Sequence, residues 1–86
     1  MGSNPARSRE GLRFEYRVDD GERPVSLTAH AVDGRRVATL FQGIVPAGIH
    51  SGHWRGPDLE RLPPGIYFLR LDASGVRDVA KWVLTR

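Results

Sequence analysis

Between Leu12 and Val18 apolar and charged residues alternate: Leu12, Phe14, Tyr16 and Val18 against Arg13, Glu15 and Arg17. A period of two sends successive side chains to opposite faces, which predicts a strand with one buried face. Residues 19–24, Asp-Asp-Gly-Glu-Arg-Pro, are turn chemistry. The next run sets Val25, Leu27, Ala29 and Ala31 on one face and Ser26, Thr28 and His30 on the other. Asp33-Gly34 then marks a hairpin, because glycine adopts positive φ without steric cost. Val37 and Leu40 are spaced three apart, so strict alternation breaks, and a bulge or an early strand end explains the break.

Further along, Phe41 to Gly48 reads as a loop, and Ile49 to Trp54 as a short strand broken by Gly52. Residues 56–65 form the longest irregular stretch, closing on Pro63-Pro64-Gly65. Ile66 to Leu71 is apolar apart from Arg70, which fits a central strand covered on both faces. Ala73-Ser74-Gly75 turns the chain into a last strand from Val76 to Leu84. No segment keeps helical spacing over a useful length. Short strands separated by turns at this interval predict an all-β, immunoglobulin-like antiparallel β-sandwich of about seven strands. Its expected core comprises Phe14, Tyr16, Val18, Val25, Leu27, Val37, Leu40, Trp54, Tyr67, Leu69, Leu71, Trp82 and Leu84.

The chain has 86 residues, enough for one domain. Residues 1–10 are polar and read as an N-terminal tail or linker, with Met1-Gly2-Ser3 as a start codon followed by a cloning remnant; residues 11–86 form the domain. Cysteine is absent, so neither disulfides nor thiolate metal sites reinforce the core. No apolar run reaches the roughly 18 residues of a membrane span, and no leader peptide is visible.

The net charge of +3 invites a nucleic-acid reading. Against it, ten acidic residues are interspersed with the thirteen basic ones. Only Arg35-Arg36 forms a basic doublet, and no aromatic residue stands beside it as a stacking platform. A mixed, solvated surface is the better account.

Eight pieces recur in a familiar order: Asn4-Pro5, the Phe14/Tyr16/Val18 strand, Val25-Ser26-Leu27, residues 34–40, Ala47-Gly48-Ile49-His50, Trp54, residues 64–68, and Lys81-Trp82-Val83-Leu84. In that order and spacing the chain resembles the immunoglobulin-like domain of the flagellar hook-capping protein. It is similar, more closely, to the C-terminal sorting domain of type IX (Por) secretion. The likeness covers about residues 4–86. It implies a non-enzymatic module that carries an exported bacterial protein through the outer membrane to the cell surface or medium. It also implies that the translocon reads Gly65, Tyr67, Lys81 and Val83. The chain departs from the family at Arg55, where an aspartate or asparagine usually follows the tryptophan, and at His30-Ala31, where Tyr-Asp is usual. Both departures remove side chains that brace turns.

The remaining polar residues offer little other chemistry. His50 and His53 lie three apart, which in a strand sends them to opposite faces and argues against a shared metal ion. Asp19-Asp20 lacks the oxygen spacing of a calcium loop. Asp58 and Glu60 lie in a loop without a pocket, and no nucleophile or phosphate-loop motif occurs. No catalytic residue, metal or cofactor is therefore expected.

Trp54, Tyr67 and Trp82 are the expected core anchors, with the Tyr67 hydroxyl bonded to loop backbone. Lys81 is the only lysine. It is either an outward residue that discourages edge pairing or, by the resemblance, a contact for a secretion receptor. A carbohydrate platform would need Phe41 and Phe68. The expected partners are secretion machinery or domains of a parent protein, with no nucleic acid and no membrane insertion, for a monomer. The alternative function is a structural or spacer module of an extracellular enzyme or a hook-cap type of assembly.

Overall fold

The computed structural model describes residues 2–3, 6–7, 10–19, 21–73 and 75–85. Asn4-Pro5, Asp20 of the acidic turn and Ser74 lie outside the described residues. Two antiparallel sheets pack face to face as an all-β sandwich. Six strands of seven to ten residues build it: β3 (Leu12–Val18), β4 (Arg23–Ala31), β5 (Arg36–Val45), β6 (Gly48–Trp54), β7 (Gly65–Ala73) and β8 (Val76–Thr85). Two two-residue pieces, β1 (Gly2–Ser3) and β2 (Ala6–Arg7), join the sheet edges. The sheets run β1-β3-β6 and β2-β8-β7-β4-β5. β2 pairs in parallel with the end of β8, and every other ladder is antiparallel. Long strands therefore number six rather than about seven, and part of the polar N-terminal stretch is drawn into both sheets.

The alternation seen in the sequence sets the layers. Leu12, Tyr16 and Val18 of β3 face Val25, Leu27 and Ala29 of β4, and Leu69 and Leu71 of β7 stand beside them. These side chains form two core clusters. One gathers Leu12, Ala29, Leu59, Tyr67, Leu69, Trp82 and Leu84; the other gathers Tyr16, Val18, Val25, Leu27, Val45 and Leu71. Phe14, Leu40, Val37 and Trp54 are half-buried against them, so the expected core is present with these four at its margin.

Four expectations about local structure are corrected. The stretch from Phe41 is not a loop, because β5 runs on to Val45. Phe41, Gly43 and Val45 share the inner face there, and a glycine in the middle position hid the alternation. The spacing of Val37 and Leu40 does reflect bulges. Ladder partners jump from Phe41 to Thr39 and from Ala38 to Arg36, which leaves Leu40 and Val37 as the two extra residues. Each bulge returns an apolar side chain to the core face that strict alternation would have turned outward.

Gly52 does not break β6, which pairs with β3 without a shift over its whole length. A side chain at Gly52 would meet the Phe14 ring, 2.7 Å from Cε2, so glycine makes room for an aromatic neighbour across the ladder. Finally, residues 57–60 form a single helical turn, α1 (Pro57–Glu60). Pro57 is pre-set for the first helical position, the Glu60 amide donates to the Gly56 carbonyl at 3.0 Å, and fully buried Leu59 pins the turn to the core. A turn this short is held by tertiary burial rather than propensity.

β7 lies between β4 and β8, as a central strand should. It is buried on one face only, in contrast to the expectation from its apolar run. Tyr67, Leu69 and Leu71 point inward, while Ile66, Phe68 and Arg70 point away from the other sheet. A two-layer sandwich has no third layer to cover that outer face.

Candidate interaction face

The three aromatic anchors meet in one place. Trp82 stacks on Tyr67 with ring centroids 5.0 Å apart and takes Trp54 edge-on at 6.0 Å. Tyr67 and Trp82 are buried, and Trp54 is half-buried. The Tyr67 hydroxyl donates to the Pro63 carbonyl at 2.6 Å, four residues back, and so fastens the 57–64 loop to β7. A buried phenol needs such a partner. The Trp82 indole Nε1 is buried without one among the described residues, so Trp82 itself is held by ring packing.

The four residues that the resemblance marks for recognition separate into two groups. Tyr67 is interior. At Gly65 φ is +154°, where side chains rarely fit, and the residue opens β7 immediately after Pro64. Lys81 and Val83 are exposed on β8 and face outward, paired across the ladder with Phe68 and Ile66. With Val79 opposite Arg70, they complete an outer surface on which Ile66 is 47% exposed, Val79 52% and Val83 38%. Lys81 stands among these apolar side chains.

Farther along the same face Asp72 accepts hydrogen bonds from Arg77 Nε at 3.0 Å and Arg70 Nε at 2.9 Å. The Arg77 bond is the main reason its carboxyl is held below the ordinary value; burial opposes that shift, and the charges of Arg70 and Arg77 reinforce it. The result is a sheet face with an apolar end and a paired-charge end.

His30 braces the turn that the Tyr-Asp departure would have left loose. Its Nδ1–H donates to the Gly34 carbonyl at 3.1 Å, which leaves Nε2 to accept from the Thr28 hydroxyl at 2.9 Å. Asp33 Oδ1 accepts from the Arg35 amide at 2.9 Å. His50 and His53 do point to opposite faces. His50 lies inward, stacked on Tyr16 at 5.4 Å, and its Nε2–H donates to the Pro46 carbonyl. His53 lies outward and bonds the Glu10 carbonyl. Asp58 and Glu60 are both exposed on α1. Phe41 and Phe68 stand on opposite faces of one sheet, Phe41 inward and Phe68 outward, so they form no common platform for a sugar.

Sequence reasoning missed one feature. A slot of about 340 Å³ opens between the edges of β5 and β6, lined by Phe14, Tyr16, Leu40, Phe41, Val45 and residues 50–53. No lining side chain is formally charged. Tyr16 is almost fully buried there. Burial pushes its phenol above the ordinary tyrosine value. The alternation of Phe41, Gly43 and Val45 was the signal that could have revealed this wall.

No family model, curated protein or solved structure matches the chain.

Proposed function

We propose that this chain is a non-enzymatic sorting module that directs an exported bacterial protein through the outer membrane to the cell surface or medium. The translocation machinery reads the outer face of β7 and β8. The observation that carries this reading is the row of Ile66, Val79 and Val83, exposed together around Lys81 on one sheet face. Contiguous apolar surface rimmed by polar groups marks protein contact sites, and a cation set among apolar side chains adds a point of specificity. Lys81 and Val83 enter through their side chains. Tyr67 and Gly65 enter by holding β7 in register, since both edges of β7 are already paired with β4 and β8.

The test fuses residues 1–86 to a reporter in a bacterium with type IX secretion and measures reporter at the surface and in the medium. Export is expected for the native chain, and Lys81→Glu and Val83→Asp should reduce it while both variants stay folded by circular dichroism. A reporter held in the periplasm, or export indifferent to both substitutions, overturns the reading and leaves a spacer or assembly module.

A further inference from the structure

The sheet edges of this chain are unequally guarded. β5 has a free edge among the described residues, but two bulges interrupt its spacing and Arg36 opens it. β8 meets β2 at Leu84 and Thr85 and carries Arg77, Asp78 and Lys81. β6 has none of these features. Its seven residues, Gly-Ile-His-Ser-Gly-His-Trp, include no formal charge and no proline, and they pair with β3 without a bulge. Proteins usually blunt an edge with such devices, because unpaired backbone groups recruit another strand. The sheet it ends holds only one other long strand, β3. Sheets need about three strands to be stable on their own.

We propose that the chain forms a two-fold symmetric homodimer in which β6 pairs antiparallel with β6 of a second copy, centred on Ser51. The strand is complementary to itself in that register. Gly48 falls opposite Trp54, Ile49 opposite His53, His50 opposite Gly52, and Ser51 opposite its own counterpart. On the inner face each large ring thus meets a glycine, so no two bulky side chains compete for one site. The Phe14 ring already lies across Gly52, and the His50 ring of the other copy extends that row. Ile49, 64% exposed on the outer face, gains the other copy's His53 imidazole as a neighbour. With no charge in the strand, self-pairing brings no like charges together.

The slot strengthens the case. It opens between β5 and β6, so the dimer sets two slots mouth to mouth and removes their apolar lining from water. Closing them strands no charged group.

Sedimentation of the whole chain from about 1 μM to about 1 mM, the range in which a modest interface associates, tests the proposal. The expected result is a mass that doubles and then stops rising. Ser51→Lys sets the new ammonium beside Glu15, its partner on β3, which favours the monomer fold. Across the two-fold axis the same change opposes two lysines, and the dissociation constant should rise at least about tenfold. Ser51→Thr adds no charge and should dimerise as the native chain does. Amide exchange along β6 should slow as concentration rises.

A monomer across that whole range overturns the proposal, as does a species that keeps growing. Association undiminished in Ser51→Lys, or lost equally in Ser51→Thr, overturns the register.

Discussion

Replacing Gly52 with alanine reverses the usual effect of removing a glycine from a strand. Glycine in a strand interior ordinarily costs about 0.5–1 kcal/mol relative to alanine, so the substitution should stabilise. Here the added methyl would stand 2.7 Å from Phe14 Cε2 and nearer still to Cζ. The ring can retreat only toward the slot it lines, and doing so gives up its packing against both core clusters and its stack on Tyr16 at 6.4 Å. Overpacking of this kind costs about 1–3 kcal/mol, so the net loss should be about 1–2 kcal/mol. In a domain of this size that lowers the melting temperature by roughly 5–15 °C.

Urea unfolding followed by tryptophan fluorescence reads the change as a lower midpoint at constant slope. A cycle with Phe14→Leu isolates the cause. In that background Gly52→Ala should be neutral or stabilising, a coupling of at least about 1 kcal/mol. A raised midpoint in the native background, or the same loss in both, would refute the packing argument.

Three further outcomes follow from the same structure. Tyr67→Phe leaves the Pro63 carbonyl without its 2.6 Å donor and should cost about 1 kcal/mol in urea unfolding; a loss below a few tenths would show that the loop is held otherwise. Leu59→Ala empties a fully buried site beneath α1 and should cost about 2–5 kcal/mol by thermal unfolding, whereas a small change would mean that the turn collapses to fill the space. Burial raises the Tyr16 phenol above its ordinary value of 10.0, so the folded state keeps a proton that the unfolded state releases. That contribution is complete below about pH 10 and is lost as pH rises from there toward the folded value. Stability should thus fall more steeply above about pH 10 in the native chain than in Tyr16→Phe, and identical slopes would contradict the burial of this phenol.

Much of this fold is legible along the chain, and what is not has physical causes. Period-two alternation in residues 12–18 and 25–31 is a local property of extended backbone with one buried face, so β3 and β4 could be read directly. The bond from Tyr67 back to its preceding loop was also foreseeable, because a phenol beside a proline-rich turn has a carbonyl within reach. Where glycine replaces an inward side chain, as at Gly43 and Gly52, the pattern loses a member, and only the neighbouring strand shows that the position is structured. Leu59 is the same case for a helix: one residue in a polar loop reveals nothing until the core accepts it.

By itself, then, the sequence determined the fold class, most of the inner face and the rings that would anchor it. Those follow from residue type and spacing. Tertiary structure alone decided that β7 lies open on one side, that Lys81 and Val83 of β8 share that outer face, that β5 runs on as a strand to Val45, and that β6 ends its sheet unguarded among the described residues. Each of these depends on which strands become neighbours, and pairing between distant segments leaves no periodic mark in the chain.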